Sequence, residues 1–505
     1  MNQKAVAQWP RHPTIYEINT WVWLYELSER ARRPITLGNV PTKQWDAIAA
    51  YGFDAVWFMG VWERSPAGVA ISMRNAALVA EFRRVLPDFT DEDNVGSAYC
   101  IRDYRVDARL GGREGLAQAR AQLAKRGIRL VLDFVPNHVA SDHPWAMAHP
   151  DYFIHGNSDD LSSKPNDFIR VGENILACGR DPYFPAWSDV LQLNAFNPHL
   201  RKAAIETVQS IAEQCDGMRC DMAMLLVNSI FERTWGARAG RMPPSEYWSD
   251  VIGTVRQRFQ DVLFIAEAYW DLEYTLQQQG FDYCYDKRLY DRLEHGPADS
   301  IRQHLDADTA YQQKLIRFIE NHDEPRAAAT FSSSKAQAAA VTVSTLQGAV
   351  LFHDGQFEGR RVRLPVFLRR RPGEPTDHRL EEFYRSLLET LRAEDFKKGD
   401  WHLCERIGWP DNQSHLNLVA WYVHSERTCH LIVVNLSDSR SQGRIQLPVE
   451  TRDGRTVRMT DAISGTQYER SVDEITNAGL YVELEPWGYH VLGFSQAKKF
   501  MGARA

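Results

Sequence analysis

No stretch of the 505 residues approaches eighteen uninterrupted apolar side chains, and the opening MNQKAVAQWPRHPTIYEINT has no apolar run of the kind that a secretory leader carries. Neither a membrane span nor an export signal is expected, and the sequence reads as cytoplasmic. Excess positive charge is also lacking. Asp and Glu number 66 against 59 Lys and Arg, a net charge of −7, which offers no broad field for a phosphate backbone. Nucleic acid is therefore not an expected partner. The seven cysteines (Cys100, Cys178, Cys215, Cys220, Cys284, Cys404, Cys429) are odd in number, scattered and without a CxxC pair. That pattern argues against a disulfide framework or a thiolate zinc site and for reduced thiols.

What the chain does have is ordinary globular composition, 44% apolar and 25% charged, over enough length for a barrel-sized domain and something smaller. Eight short runs rich in β-branched and aromatic residues recur before residue 396, each followed by a longer helical pattern. They are Thr14–Asn19, Asp54–Met59, Ile128–Val135, Gly217–Ala223, Leu263–Ala268, Phe281–Tyr285, Leu315–Glu320 and Ala349–His353. Alternation of this kind makes βαβ units on a parallel sheet, and eight strands close a barrel. The helical stretch Gly115–Arg126, stopped by Gly127 just before the third run, is the expected helix-then-glycine connection.

Residues 136–200 are too long and too rich in Asp, Pro, Asn, His and Gly for a plain loop, and predict a small lobe inserted after strand three. From 397 to 505 the texture changes to alternating strands (LNLVAWYVH, CHLIVVNLS, GRIQLP, LYVELEP, HVLGFS) separated by turn formers, which predicts a C-terminal antiparallel β-sandwich. The expected fold is thus an α/β (β/α)8 TIM barrel over 1–135 and 201–396, the lobe over 136–200 and the sandwich over 397–505.

In a parallel barrel the C-terminal ends of the strands converge on one face, where reacting groups from distant positions meet. The third strand ends in Asp133-Phe-Val-Pro-Asn137-His138, the fourth in Arg219-Cys-Asp221, the fifth in Glu267 and the seventh in Glu320-Asn-His322-Asp323. A single strand-end acid is commonly a cap or an ion-pair partner, but acids on several strands at once point to chemistry. Retaining glycoside hydrolysis needs two carboxyl groups about 5–5.5 Å apart, and adjoining strands are spaced by about 4.8 Å, so Asp221 and Glu267 can supply the pair. Strand alternation places Arg219 on the face of Asp221, where a guanidinium would keep that carboxylate ionised. The apolar and aromatic flanks of Glu267 in FIAEAYW predict a site that disfavours its charged form, as a general acid requires.

With these residues in place the chain resembles the α-amylase superfamily of glycoside hydrolases. DFVPNH (133–138), GMRCDMA (217–223), the strand ending in Glu267, and ENHD (320–323) are similar to that family's four signature regions in order. LQLN (191–194), GSAYCIRDY (96–104) and GQFEG (355–359) add further likeness, so the resemblance covers essentially the whole chain. It implies Asp221 as nucleophile, Glu267 as acid/base and Asp323 as the third essential carboxylate, with Tyr99, His138, Arg219 and His322 lining the reacting subsite. It implies an α-1,4-linked glucan or maltooligosaccharide as substrate, cleaved with retention through a covalent glycosyl-enzyme. Transglycosylase, sucrose-type glucosyltransferase and trehalose synthase-type isomerase chemistry on the same scaffold stand as alternatives. A non-catalytic glucan-binding relative is opposed by the three intact carboxylates.

The chain also departs from the family pattern. Cys100 stands where exo-acting α-glucosidases carry an aspartate, and MAMLL follows Asp221 where many amylases have a Lys-His pair. Asn137 is left as the one matched calcium-ligand position, while Gln192 stands where the motif often has an aspartate, so a structural calcium is permitted by the resemblance without being required. Trp62, Trp145, Trp187 and Trp270 fall in expected mouth loops and are candidate sugar platforms. The basic segment Arg360–Arg363 and Arg369–Arg371 reads as a carboxylate-paired or solvated loop. Chain-length preference and oligomeric state are not legible.

Overall fold

The structure is a computed structural model that describes residues 9–425, 428–447 and 456–495. Met1–Gln8 of the opening segment and Pro448, the last residue of the expected GRIQLP strand, lie outside the described residues. Eight parallel strands close a barrel: β1 Thr14–Asn19, β2 Ala55–Met59, β3 Arg129–Phe134, β4 Gly217–Cys220, β5 Leu263–Ala266, β6 Tyr283–Tyr285, β7 Leu315–Arg317 and β8 Ala349–His353. Every expected run contains one of these strands, because each is buried along its whole length, with apolar residues interrupted by a few buried polar ones such as Glu17, Asp133 and Arg219, the pattern imposed by helices outside and a packed interior. The β3–β4 and β4–β5 ladders fix the register that matters for chemistry, pairing Arg219 with both Asp133 and Ile265, and Cys220 with Ala266.

The chain divides into two compact units. The first comprises Ile15–Tyr285 with Val362–Gly373 and carries nearly all of β1 and the whole of β2 to β6. Its helices start and stop on local signals. Asn197 accepts the N–H groups of His199 and Leu200 and Pro198 opens the turn of Pro198–Ala212, while Gly127, at φ +75°, ends the turn after Gly112–Ala124. After β3 the expected lobe forms a four-stranded antiparallel sheet in the order His138–Ala140, Trp187–Gln192, Asn174–Gly179, Phe168–Val171. Its own small core includes Val139, Phe153, Leu176, Leu191 and Leu193. The basic segment that returns to this unit is carboxylate-paired as expected: Arg370 contacts Asp93 at 2.6 Å, Arg371 contacts Glu26 at 2.6 Å and Arg369 contacts Glu92 at 3.1 Å.

The second unit holds β7, β8 and the C-terminal strands. Those strands form two antiparallel sheets, one of six and one of three, over a shared core of Leu418, Ala420, Leu431, Val433, Ile445, Met459, Val482 and Leu492. Leu418–His424 is buried on both faces rather than alternating cleanly, because Trp421 points away from that core and donates its indole N–H to the Thr345 carbonyl at 3.1 Å. All seven cysteines are free and buried. Among the described residues no helix is long and apolar enough to cross a membrane.

Candidate active site

Arg219 sits at the centre of the first unit's strand ends, only 1% exposed. A cation this deep is tolerated only when carboxylates surround it. Its Nη1 contacts Asp221 Oδ1 at 2.7 Å, its Nη2 lies 2.8 Å from Glu267 Oε2, and Asp133 Oδ1 stands 3.8 Å from Nη1. Nε donates to the Tyr285 hydroxyl at 3.3 Å. The rings of Tyr99, Trp57 and Tyr285 face its guanidinium carbon at 5.2, 5.3 and 5.7 Å. Burial opposes the charge, yet Glu267 first, then Tyr99, Tyr285 and Asp221, outweigh it and raise the guanidinium well above its ordinary value.

Asp221 and Glu267 each continue the parallel ladder one step past the strand ends. The Asp221 N–H donates to the Phe134 carbonyl at 2.9 Å, the Glu267 N–H to the Cys220 carbonyl at 3.0 Å, and the Ala223 N–H to the Glu267 carbonyl at 3.0 Å. They are therefore opposite one another on adjoining strands, about 4.8 Å apart in the backbone, and both carboxylates hold one guanidinium. Met222, immediately after Asp221, takes the left-handed φ of 43° and donates its N–H to Glu267 Oε2 at 2.6 Å. The Tyr269 hydroxyl donates to Glu267 Oε1 at 2.9 Å. The setting of Glu267 is thus two hydrogen-bond donors and a guanidinium rather than the apolar cage expected from its sequence neighbours, since Arg219 and the Met222 amide come from β4 and its turn and the Tyr269 hydroxyl turns back from two residues on.

The remaining expected residues take distinct places. Asp133 accepts the Gly60 N–H at 3.2 Å, and a Cβ on Gly60, at φ +79°, would stand 2.7 Å from the Arg64 guanidinium, so only glycine fits there. His138 is buried, and that burial lowers it to about 4 against a hydrogen bond with the Tyr99 backbone, so the imidazole is neutral at neutral pH. Its ring packs against Trp187 at 5.2 Å. In the second unit His322 Nε2 contacts Asp323 Oδ2 at 2.9 Å, and Asn321 Oδ1 caps the turn by accepting the Asp323 N–H at 2.9 Å. Glu320 is buried, which alone would raise it, but Arg326 and His353 hold it below its ordinary value, so its place is structural. Of the candidate platforms Trp62 is buried and hydrogen-bonded to the Asp133 carbonyl at 2.8 Å, whereas Trp187 and Trp270 remain partly exposed. Sequence reasoning missed Tyr285, Trp57 and the Met222 amide; the first two lie on recognised strands and alternation could have found them.

The environment of Asn137 does not suit calcium. Its Oδ1 accepts from Gln192 Nε2 at 2.9 Å, its Nδ2 donates to Gln192 Oε1 at 3.2 Å, and the same Nε2 reaches the Asn137 and Leu193 carbonyls at 3.0 Å. A cation wants oxygens turned toward it, and here an amide nitrogen already fills that position. Among the described residues no group of three or more His, Cys, Asp or Glu is disposed to hold a metal.

Barrel, inserted lobe, C-terminal β domain and two acids sharing one guanidinium on adjoining strands define a protein of the alpha-amylase (β/α)8 fold class. The chain matches the model of the alpha-amylase catalytic domain over residues 42–363 and belongs to the alpha-amylase family. It is similar to the alpha-amylase MalA of Haloarcula japonica, 23% identical over 469 residues, which is 90% of this chain and 59% of MalA. It is also similar to the alpha-1,4-glucan:maltose-1-phosphate maltosyltransferase of Bifidobacterium longum, 27% identical over 226 residues, 44% of this chain and 25% of that protein. This chain thus spans well under two thirds of either relative. Among solved structures the maltogenic alpha-amylase AmyB of Thermotoga neapolitana has the same fold, with a TM-score of 0.67 at 18% identity, over 96% of this chain and 99% of AmyB.

Proposed function

We propose that the chain is a retaining α-glycosidase that cleaves α-1,4 bonds of glucans or maltooligosaccharides by double displacement. The observation that carries the reading is the shared guanidinium: Arg219 contacts Asp221 at 2.7 Å and Glu267 at 2.8 Å, with both acids one step beyond paired strand ends. In the first step Glu267 gives its proton to the glycosidic oxygen while Asp221 attacks the anomeric carbon and forms a β-glycosyl ester. Two carboxylates around one cation repel each other, so a single proton between them suits the resting pair, and the mechanism assigns that proton to Glu267. Esterification removes the Asp221 charge, and Glu267 is then left as the carboxylate that takes a proton from water in the second step. Asp323 is assigned the sugar-gripping carboxylate, with Tyr99, His138 and His322 as subsite residues.

A transferase that hands the same glycosyl ester to a sugar acceptor is the second reading, favoured by the similarity to a maltosyltransferase. The chain is read as acting in the cytoplasm, with domains bounded near residues 135, 200 and 396. Product analysis from maltoheptaose, maltose and sucrose tests the assignment: shorter α-anomeric products are expected from hydrolysis, longer or rearranged ones from transfer. Turnover of none of these α-glucosides, or β-anomeric products, would overturn it.

A further inference from the structure

Met222 holds Glu267 from a backbone conformation that a residue with a side chain seldom keeps, and a strained turn persists only where its surroundings over-determine it. The restraint comes from the helix Tyr247–Arg258, whose start is tied to both ends of the segment that follows Met222. At the near end the Trp248 indole N–H donates to the Ala223 carbonyl at 2.8 Å. At the far end Glu246 Oε2, one residue before the helix, accepts the Asn228 N–H at 3.0 Å. Between them the turn Ala223–Leu226 is buried throughout. Trp248 is itself 0% exposed and so has no surface to offer a substrate. Its ring meets Phe281 at 4.8 Å and Phe134 at 6.3 Å, both edge-on, and the Phe134 carbonyl is the acceptor of the Asp221 N–H at 2.9 Å. One buried indole thus abuts the residue that receives the Asp221 amide and bonds the turn that leaves Asp221.

Resting on the function proposed above, we infer that Trp248 is a positioning residue for the acid/base, acting on Glu267 through the turn Met222-Ala223. Ala223 is pinned at both of its backbone groups: its N–H donates to the Glu267 carbonyl at 3.0 Å and its carbonyl accepts from Trp248 at 2.8 Å. Because peptide planes are rigid, fixing these two planes leaves Met222 little freedom to relax from φ 43°. Its N–H is thereby kept 2.6 Å from Glu267 Oε2. The other groups around that carboxylate, Arg219 at 2.8 Å and the Tyr269 hydroxyl at 2.9 Å, reach it without passing through Trp248. Asp221 likewise keeps its bond to the Phe134 carbonyl and its contact with Arg219. Loss of the indole N–H therefore slackens the proton donor and leaves the nucleophile in place.

A sugar leaving group needs a proton and fluoride does not, so the test compares kcat/KM for maltoheptaose with that for α-maltosyl fluoride. Trp248→Phe keeps an aromatic ring and removes the N–H, and the maltoheptaose-to-fluoride ratio is expected to fall about tenfold. Phe281→Leu removes a ring packed on Trp248 but no hydrogen bond, and is expected to lower the melting temperature with the ratio unchanged. Replacing Trp248 by benzothienylalanine preserves the indole shape with sulfur in place of the N–H, and should reproduce the fall even where Trp248→Phe does not fold. A wild-type ratio in the folded Trp248 variants, or an equal fall in Phe281→Leu, overturns the assignment and leaves the proposed function standing. Wild-type protein inert toward both substrates would instead sink the proposed function. Amide hydrogen exchange then decides the positioning: exchange across 222–226 at least about tenfold faster on loss of the indole N–H supports it, and an unchanged rate refutes it.

Discussion

The Met222 N–H donates to Glu267 Oε2 at 2.6 Å, so the residue after one proposed catalytic acid positions the other. Met222 does so from a left-handed backbone conformation, φ 43° and ψ 44°, which costs a residue with a side chain about 1–2 kcal/mol. The two acids are thereby tied twice, through the Arg219 guanidinium and through this turn. Their relative position belongs to the barrel ladder and not to a mobile loop, which is what a reaction needing a fixed separation requires.

Replacing Met222 separates the amide from the side chain. Met222→Gly keeps the N–H and suits the positive φ, so kcat is expected to stay within about threefold of wild type. Met222→Pro removes the donor and cannot adopt φ 43°, and kcat is expected to fall at least about a hundredfold. Steady-state kinetics on maltoheptaose, with circular dichroism to confirm folding, decides the matter. Equal rates for the two variants would show that the amide is idle.

Arg219 gives a sharper contrast between charge and shape. Arg219→Lys retains one cation but not the fork that reaches Asp221 and Glu267 together, and a loss in kcat of roughly a hundredfold is expected. Arg219→Met leaves the buried carboxylates unpaired, which costs about 3–5 kcal/mol of stability. In that variant the acidic limb of the kcat/KM profile should move to higher pH, since Asp221 loses the charge that keeps it ionised. A pH–rate profile superimposable on wild type would refute the role given to the guanidinium.

The proposed catalytic acids themselves predict loss without unfolding. Asp221→Asn, Glu267→Gln and Asp323→Asn should each lower kcat by roughly a thousandfold or more, with the melting temperature changed by only a few degrees. Near-normal turnover by Asp221→Asn protein free of wild-type contamination would remove the double-displacement mechanism.

How much of this was legible in the sequence follows from physical range. Strand runs were readable because burial on both faces enriches them in β-branched and aromatic residues, even where a polar side chain such as Glu17 interrupts, and β1 and β8 have the bounds that were expected, Thr14–Asn19 and Ala349–His353. Arg219, Asp221 and Glu267 were readable because parallel register converts strand position into proximity. The contacts of Glu267 with Arg219 and the Met222 amide were legible only through the fold, since its immediate chain neighbours are Ala266 and Ala268 while these two partners lie on and just after β4. Trp62 misled for the converse reason: a tryptophan just past β2 looks like a mouth residue until the Asp133 carbonyl, 2.8 Å from its indole nitrogen, pulls it inward.

Stability should fall with acid before the carboxylates titrate. Burial lowers His138, His143 and His12 to about 4, whereas the unfolded chain titrates them near 6.5. Between those values the unfolded state binds more protons than the folded one, so stability is complete above about pH 6.5, declines as pH drops toward 4 and levels off below. His138 alone accounts for about 3 kcal/mol across that window. Urea unfolding at pH 7.5, 6 and 5 should show the decline, and His138→Gln should shrink it. An identical pH slope in the variant would mean that His138 titrates in the folded protein as it does in the unfolded chain.

The amide pair between Asn137 and Gln192 makes the last prediction, one about metal. Gln192 Nε2 stands within 3.0 Å of three oxygens, Asn137 O, Asn137 Oδ1 and Leu193 O, so a nitrogen occupies the middle of an oxygen cluster. Chelator treatment is therefore expected to leave the melting temperature within about 1 °C, because the fold draws no binding energy from a bound cation at this position. Gln192→Ala strands those oxygens in a buried place at a cost of about 1–3 kcal/mol. Gln192→Glu goes further, setting a carboxylate against oxygens that cannot donate, and should destabilise the lobe unless a cation intervenes. Millimolar calcium is then expected to raise the melting temperature of Gln192→Glu but not of wild type, since the substitution supplies the anionic ligand that the native amide replaces. A wild-type protein that melts several degrees lower in chelator would overturn this account and return Asn137 to the role of a calcium ligand.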